Sequence, residues 1–374
     1  MAIAKEVNIR TQFINWLSNK QPFEYWGGAN TSVNFADNLK QQLVTQLKSN
    51  ILFPNHVTIS VTNRCNLLCE HCGKNSGKPH PDEMSFAEIL NLIPQLKQLQ
   101  IRYISLSGGE PLTRRDIFDI IEVLKKADFK VGLISNGFIN DERTIDKLNK
   151  SNIDTINISI DGLRETHNSV RKHEKSFDNA IKFLSLVHEY TGIKNKSIIS
   201  CVSPGMLGDL EGLCETIFNL GATSWVLRPI APTGRAEKNP QLLLSDSELK
   251  AFIQFCLNKI KEGVDLTIGG DVGYLGSLDS ILRSTPYFPS IGWSDFQICA
   301  NGDVRGLSEE SVPIEGNIRD SKLTDIWHNG FKLYREFKVN KTCSECHYLQ
   351  RCGGEFIPNS FIGQACLVAR GIVD

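Results

Sequence analysis

The chain has 374 residues, enough to bury a large core and to hold more than one domain. Hydrophobic residues make up 41% and charged residues 22%, and 41 Lys and Arg balance 42 Asp and Glu, so no basic field calls for nucleic acid. No apolar run approaches the roughly 18 residues of a membrane span. The polar N-terminal stretch also lacks a signal-peptide core, so no membrane and a cytoplasmic location are expected. In that reducing compartment, 11 cysteines gathered in tight clusters point to metal binding rather than to a disulfide framework.

Residues 1–54 carry helical apolar spacing, first at Phe13, Trp16 and Leu17, then at Leu39, Leu43 and Leu47. Trp26-Gly27-Gly28 breaks the two stretches. The segment either closes one end of the core or docks a peptide, and its spacing does not choose between these. From residue 55 to 262, short apolar runs alternate with amphipathic ones. The pattern predicts strands at 56–62, 101–107, 130–135, 154–160, 197–202 and 223–229. It predicts helices at 86–98, 115–127, 142–150, 176–190, 208–220 and 246–261. Such alternation means parallel strands with right-handed crossovers, and six units make an α/β fold, a partial (β/α)6 TIM-like barrel. Ligands of parallel α/β folds bind at the C-terminal ends of the strands.

Directly after the first strand stands Cys65-Asn66-Leu67-Leu68-Cys69-Glu70-His71-Cys72. Three thiols at spacings of four and three residues can reach one metal centre from a single loop. A [4Fe–4S] cubane has one iron more than these thiolates can ligate, and the open iron can take a small chelating molecule. Zinc prefers four ligands in a closed site and suits the set less well. Buried free cysteines are the bland alternative, but three of them on one short polar loop argue against it.

The later strand ends are also polar. The second leads to Ser107-Gly108-Gly109-Glu110-Pro111, where two glycines allow close backbone approach and Glu110 can accept from an ammonium group. The third leads to Ser135-Asn136-Gly137 and the fourth to Ser159-Ile160-Asp161-Gly162. Alone, each of these is ordinary turn chemistry. After the sixth strand come Leu227-Arg228-Pro229-Ile230 and Pro232-Thr233-Gly234-Arg235.

Residues 263–374 read as a second module. Its start, 265–295, is a bridge rich in Gly, Ser and Pro. Asn301-Gly302-Asp303 signals a hairpin turn between 296–299 and 304–305. Cys343, Cys346, Cys352 and Cys366 then supply all four positions of a closed metal site, for zinc or for a second cubane. The other cysteines, at 201, 214, 256 and 299, read as core residues.

Cys65-x-x-x-Cys69-x-x-Cys72 resembles the signature of the radical S-adenosylmethionine (SAM) enzymes, and the other strand-end stretches match that family in order. The resemblance implies that the open iron is chelated by SAM, whose reductive cleavage yields a 5′-deoxyadenosyl radical that abstracts hydrogen from carbon. It assigns Gly108, Gly109 and Glu110 to the SAM amino group, and Ser135, Asn136, Ser159 and Asp161 to the ribose or methionyl part. It assigns Arg171 to the SAM carboxylate, against a bland reading as an exposed helix arginine, and the Leu227 segment to adenine. His71 fits an aromatic-like slot, whereas Gly73 stands where an aromatic residue is frequent.

The C-terminal cysteines resemble the SPASM extension of sulfatase-activating enzymes and of maturases of ribosomally made peptides. Asn301-Gly302-Asp303-Val304, Gly316-Asn317-Ile318 and Ile326-Trp327 fall in its order. Leu307 and Phe356 replace cysteines of the full pattern, so one auxiliary [4Fe–4S] cluster, on Cys343, Cys346, Cys352 and Cys366, is expected instead of two. The implied function is maturation of a precursor peptide, with electrons from a flavodoxin or ferredoxin. Reduced cysteine sets resemble those of cyclophane-forming enzymes, which join an aromatic ring to a neighbouring β-carbon and need a base. Glu309, Glu310 and Asp271 are the candidates, each with a solvated surface role as its bland alternative. Sulfatase-type oxidation, thioether formation and epimerisation are the rivals, the last with Cys201 or Cys299 as hydrogen donor. A zinc-bound module without redox chemistry is the non-enzyme rival.

Overall fold

The computed structural model describes residues 54–269, 272–283, 291–307, 312–335, 346, 348, 366–368 and 370–373. The helical segment expected over 1–54 therefore lies, apart from its last residue, outside the described residues. The barrel elements run in chain order as β1 (His56–Ser60), α1 (Phe86–Gln98), β2 (Tyr103–Ser107), α2 (Ile117–Lys126), β3 (Lys130–Ser135), α3 (Glu142–Ser151) and β4 (Thr155–Ser159). There follow α4 (Arg164–Arg171), α5 (Ser176–Tyr190), β5 (Asn195–Val202), α6 (Leu210–Asn219), β6 (Ser224–Pro229) and α7 (Asp246–Lys261). All six expected strands and six expected helices are present, their ends displaced by up to two residues. Helix α4 is an addition: its Arg164-Glu165-Thr166-His167-Asn168-Ser169 run is too polar to have read as a packed helix, yet His167, Val170 and Arg171 are buried.

Strands β1 to β6 pair in parallel in sequence order, each joined to the next through helix, which is the partial barrel. Alternation decides which way its faces point. In register across the sheet, Val57, Ile104 and Val131 form one row of the outer face, and Leu133 and Ile156 part of another. These residues are 0–1% exposed and lie in one core with Ile89, Leu92, Leu96, Ile120, Leu124, Phe183 and Leu184 of the helices. Burial of this size dominates the stability of the barrel. The opposite face carries Thr58, Ser105, Asn157 and Ser159, all only half-buried. On β1, β2 and β4 the lumen is thus polar and partly accessible, whereas Ile134 of β3, Ile199 of β5 and Val226 of β6 give it an apolar part.

The bridge contains β7 (Leu266–Ile268), which extends the sheet in parallel beyond β6. On the other side, β8 (Asp295–Ile298) pairs in parallel with β1, and β9 (Asp303–Arg305) and β10 (Ile314–Asn317) follow antiparallel. The boundary read at residue 262 therefore runs through one continuous ten-stranded sheet. The hairpin read at Asn301-Gly302-Asp303 is the β8–β9 turn, with Gly302 at φ +84° and its Cβ position facing Ile318 and Asn317. Helix α8 (Leu323–Asn329) docks this side onto α1, where Leu323 N donates to Gln95 Oε1 at 2.7 Å. Phe296 of β8 is 1% exposed and packs its ring 5.3 Å from Trp327 and 6.1 Å from Phe331. Among the described residues, no helix is long and apolar enough to cross a membrane.

Strand β8 joins barrel and hairpin, so its packing is a test of that continuity. Phe296→Ala is expected to cost about 3–5 kcal/mol, the scale of a large buried ring. Urea unfolding of the full chain checks this, and a loss below about 1 kcal/mol, near the scale of a surface substitution, would show that β8 adds little to the fold.

Candidate active site

The cysteine loop leaves β1 at its C-terminal end and is held at its root by a carboxylate. Glu83 accepts from Asn63 N at 2.7 Å, from His80 N at 3.0 Å and from Thr62 Oγ1 at 2.9 Å. The loop then folds on Gly77, whose carbonyl accepts from Cys65 N at 2.8 Å. Cys65 and Cys72 are half-buried and Cys69 is buried.

Gly108 and Gly109 pack β2 against this root. Gly109 N donates to Thr62 O and Glu110 N to Arg64 O, both at 2.8 Å. A Cβ on Gly108 would lie 2.2 Å from Thr62 O, and one on Gly109 2.2 Å from Arg64 O. Only glycine allows this approach. Glu110, 1% exposed, ties β2 to β3: it accepts from Ser135 Oγ at 2.9 Å, Asn136 N at 2.7 Å and Leu112 N at 3.1 Å. Burial raises its pKa from 4.5 to about 6 against those bonds. Asn136 reaches on to the loop, with Nδ2 2.8 Å from Asn66 Oδ1 and 3.9 Å from Cys65 Sγ.

A second buried carboxylate gathers the other side. Asp161, 0% exposed, accepts from Arg171 Nε at 2.7 Å and from Cys201 N at 2.8 Å. Its burial works against ionisation, but the charge of Arg171 prevails and brings its pKa down to about 2. The bland reading of Arg171 is thereby overturned: it is 6% exposed, at the end of α4. Among the described residues its guanidinium donates through Nε alone. His71 Nε2 lies 3.4 Å from Asp161 Oδ2, and burial holds this imidazole neutral, with its pKa lowered to about 4. Its Nδ1 is buried without a hydrogen-bond partner among the described residues.

These atoms fit a cubane and a chelating ligand. Burial, then the charges of Glu110, Cys69 and Cys72, push the Cys65 thiol up to about 12. Burial raises the Cys69 thiol as well, so a cationic metal group is what would let these sulfurs act as thiolates. Arg171 and Arg235 offset part of that cost at Cys69. The orphan Nδ1 of His71 and the outer edge of Arg171 are polar groups for a ligand beside the metal.

Ser159 is half-buried at the end of β4, on the same inner face as Asn157. Leu227 requires a correction: its side chain is 0% exposed on the outer face of β6 and belongs to the helix-side core. Alternation turns Val226 and Arg228 the other way, so the Leu227 side chain contacts no lumen ligand. Cys346 is half-buried and Cys366 exposed, while Cys343, Cys352, Asp271, Glu309 and Glu310 lie outside the described residues. Lys74 escaped the sequence reading, and Arg235 was read only as part of Pro232-Thr233-Gly234-Arg235, without a role. Lys74 Nζ bridges Ser60 Oγ at 3.1 Å and Ser107 Oγ at 3.2 Å across the ends of β1 and β2. Arg235 holds the cysteine loop from the far side of the barrel, with Nε 2.6 Å from Cys69 O.

A cysteine loop at the mouth of a parallel barrel, ringed by strand-end ligands, defines a cluster-and-ligand enzyme site. Residues 59–217 match the family model described as the radical SAM superfamily, and the chain carries that domain and is a radical SAM enzyme. It is 28% identical over 329 residues to the mycofactocin maturase MftC of Mycolicibacterium smegmatis, covering 84% of this chain and 80% of the relative. It is 25% identical over 331 residues to an AdoMet-dependent heme synthase of Methanosarcina barkeri, covering 80% and 90%. Among solved structures, Streptococcus suis SuiB bound to its precursor peptide SuiA matches with a TM-score of 0.67 at 17% identity, over 87% of this chain and 77% of that one. This last likeness supports the fold. The family implies SAM and a [4Fe–4S] cluster as cofactors.

Glu110 gives a pH test on the metal-free chain. Its folded pKa of about 6 exceeds 4.5, so its contribution is complete below pH 4.5 and is lost as pH rises through 6. Glu110→Gln is expected to flatten that slope and to cost about 1–3 kcal/mol, since an amide donor then faces Asn136 N–H. Chemical unfolding from about pH 4.5 to 7, a span that brackets the Glu110 titration, reads both. An unchanged slope would remove Glu110 as its source.

Proposed function

We propose that this enzyme matures a ribosomally made precursor peptide, forming a cross-link of the cyclophane type between an aromatic ring and a neighbouring β-carbon. The observation that carries the reading is the row of half-buried polar side chains, Thr58, Ser105, Asn157 and Ser159, on the inner face of the strands whose ends bear the cysteine loop and its partners. The likeness to MftC supports a peptide substrate.

Cys65, Cys69 and Cys72 would hold the cubane, and the backbone of Gly108-Gly109 with Arg171, Ser135, Asn136, Ser159 and His71 Nδ1 would hold SAM. The chemistry these groups supply when bound is hydrogen-atom abstraction by a 5′-deoxyadenosyl radical. Arg171 is charged and anchored by Asp161, so its outer edge suits a carboxylate. Glu110 fixes the β3 end from below. In this reading Glu309, Glu310 or Asp271 takes the ring proton. Cys343, Cys346, Cys352 and Cys366 would hold an auxiliary cubane, which would supply an acceptor for the leftover electron, and a flavodoxin or ferredoxin would be the electron donor for SAM cleavage.

One observation favours a second reading. Cys201 is half-buried on the inner face of β5, beside Asp161, where a thiol can return hydrogen to a substrate carbon. Epimerisation would leave solvent deuterium at a product α-carbon, whereas cross-linking lowers the peptide mass by two hydrogens.

The enzyme reconstituted anaerobically and reduced with SAM is expected to release 5′-deoxyadenosine, seen by mass spectrometry, and Cys65→Ala to release none. Iron uptake without any SAM cleavage, even with candidate peptides, would sink the catalytic reading. Cys352→Ala is expected to keep SAM cleavage while losing the peptide product. Full product from that variant, or iron for three cubanes in the parent, would refute a single necessary auxiliary cluster.

A further inference from the structure

The loop from Cys65 to Cys72 has little structure of its own. Within it, the only backbone hydrogen bond among the described residues runs from Cys72 N to Cys69 O, at 3.3 Å. Its shape must be imposed from outside. Glu83 and Gly77 act at the root, and Val170 O accepts from Glu70 N at 2.9 Å at its middle. The far end, which carries Cys69 and Cys72, is gripped by the segment after β6.

There Arg235 makes three contacts with the loop and its continuation. Its Nε donates to Cys69 O at 2.6 Å, its Nη1 to Ser76 O at 2.9 Å, and its backbone N to Cys72 O at 3.1 Å. The first of these spans 166 positions of sequence, from one end of the barrel repeat to the other. Gly234 makes the grip possible: at φ +57°, its Cβ position lies 2.5 Å from the carbonyl oxygens of both Cys72 and Gly73. Asn239 Nδ2 braces the pair, 2.9 Å from Arg235 O and 3.4 Å from Glu70 O.

We propose that Arg235 is a positioning residue for the cubane: it clasps the cysteine loop through its carbonyls, so that Cys69 and Cys72 are presented correctly, and its charge favours the reduced cluster. The inference rests on the cubane at Cys65, Cys69 and Cys72 and on no particular substrate. A guanidinium is suited to the task because its rigid fork can serve two carbonyls at once, which a lysine ammonium on a flexible stem does poorly. A cluster with three thiolates is anionic and gains negative charge on reduction. A fixed cation next to Cys69 therefore stabilises the reduced state. Hydrogen bonds behind metal ligands carry much of a site's affinity, and their loss typically lowers it by about 10–100-fold.

The test uses the full chain, reconstituted anaerobically with iron and sulfide, in parent, Arg235→Gln, Arg235→Lys and Gly234→Ala forms. Readouts are iron and sulfide per chain, circular dichroism, and the potential of the reduced-cluster EPR signal that changes when SAM is added. Arg235→Gln is expected to lose iron affinity by about 10-fold or more, with the clusters that remain shifted to lower potential. Arg235→Lys should lose iron but keep the potential near that of the parent. Gly234→Ala should lose iron with no potential shift, since it displaces the loop and keeps the charge. Parental iron and parental potential in Arg235→Gln overturn the proposal. If that variant does not fold, parental iron content in both Arg235→Lys and Gly234→Ala overturns it. A parent chain that takes up no iron overturns the cubane itself, and the clasp with it.

Discussion

Two buried carboxylates hold the mouth of this barrel together. Strand ends in a parallel sheet carry unpaired backbone groups, and each must find a partner. Glu110, at the end of β2, collects Ser135 and Asn136 of the β3 end. Asp161, after β4, collects the backbone of β5 and the guanidinium of α4. Neither carboxylate points at a solvated surface, and removing either would strand donors in a dry site, which is the costly direction. The cysteine loop is laid onto this frame. Asn136 carries the Glu110 side to Cys65, and His71 touches the Asp161 side within the loop itself.

The sheet explains why such a frame is needed. A closed barrel fixes its strand ends by hydrogen bonding all round, but here the order runs from β10 through β1 to β7, and among the described residues the edge strands β10 and β7 do not pair. The inner face is polar and half-exposed on β1, β2 and β4, so it contributes little cohesion there. Cohesion comes from the outer face, where Ile59, Leu106, Leu133 and Ile158 are fully buried beneath helices. That arrangement fixes the strands well and their ends poorly. Side chains crossing between strand ends, from Glu83 to Lys74 to Arg235, supply what closure would have supplied.

Much of this was legible in the sequence because each strand and helix carries its own local signal. Ser85 and Glu88 cap α1 reciprocally, as do Ser245 and Glu248 for α7, and both helices run over the residues their apolar spacing marks. The cysteine spacing marked the metal loop for the same reason: all three donors sit in one short stretch. What escaped is non-local. Nothing near Arg235 says that its partners are carbonyls of residues 69 and 76. Likewise β7 is too short to stand out in a Gly-rich bridge, and its strand character comes from pairing with β6. Leu227 was misplaced because a motif gives a position, whereas the strand's alternation gives the side a residue faces. The polar lumen, by contrast, was there to be read. His-x-Thr-x-Ser, Tyr-x-Ser-x-Ser and Thr-x-Asn-x-Ser recur at residues 56, 103 and 155, and alternation puts those side chains on one face.

That lumen limits what can enter it. Thr58, Ser105 and Asn157 are half-buried polar groups that water can reach. A substrate that displaces such water without replacing its hydrogen bonds loses affinity, so an apolar body alone is a poor occupant. A peptide brings a donor and an acceptor with every residue and can meet hydroxyls along the whole depth of the barrel. A planar macrocycle offers its polar groups only at its edge. Hydroxyl and amide side chains recur on this face at β1, β2, β4 and β8, interrupted by Gly132 and Ile134 of β3 and by Ile199 and Val226 of β5 and β6, so the polar partners for an extended chain lie on those four strands.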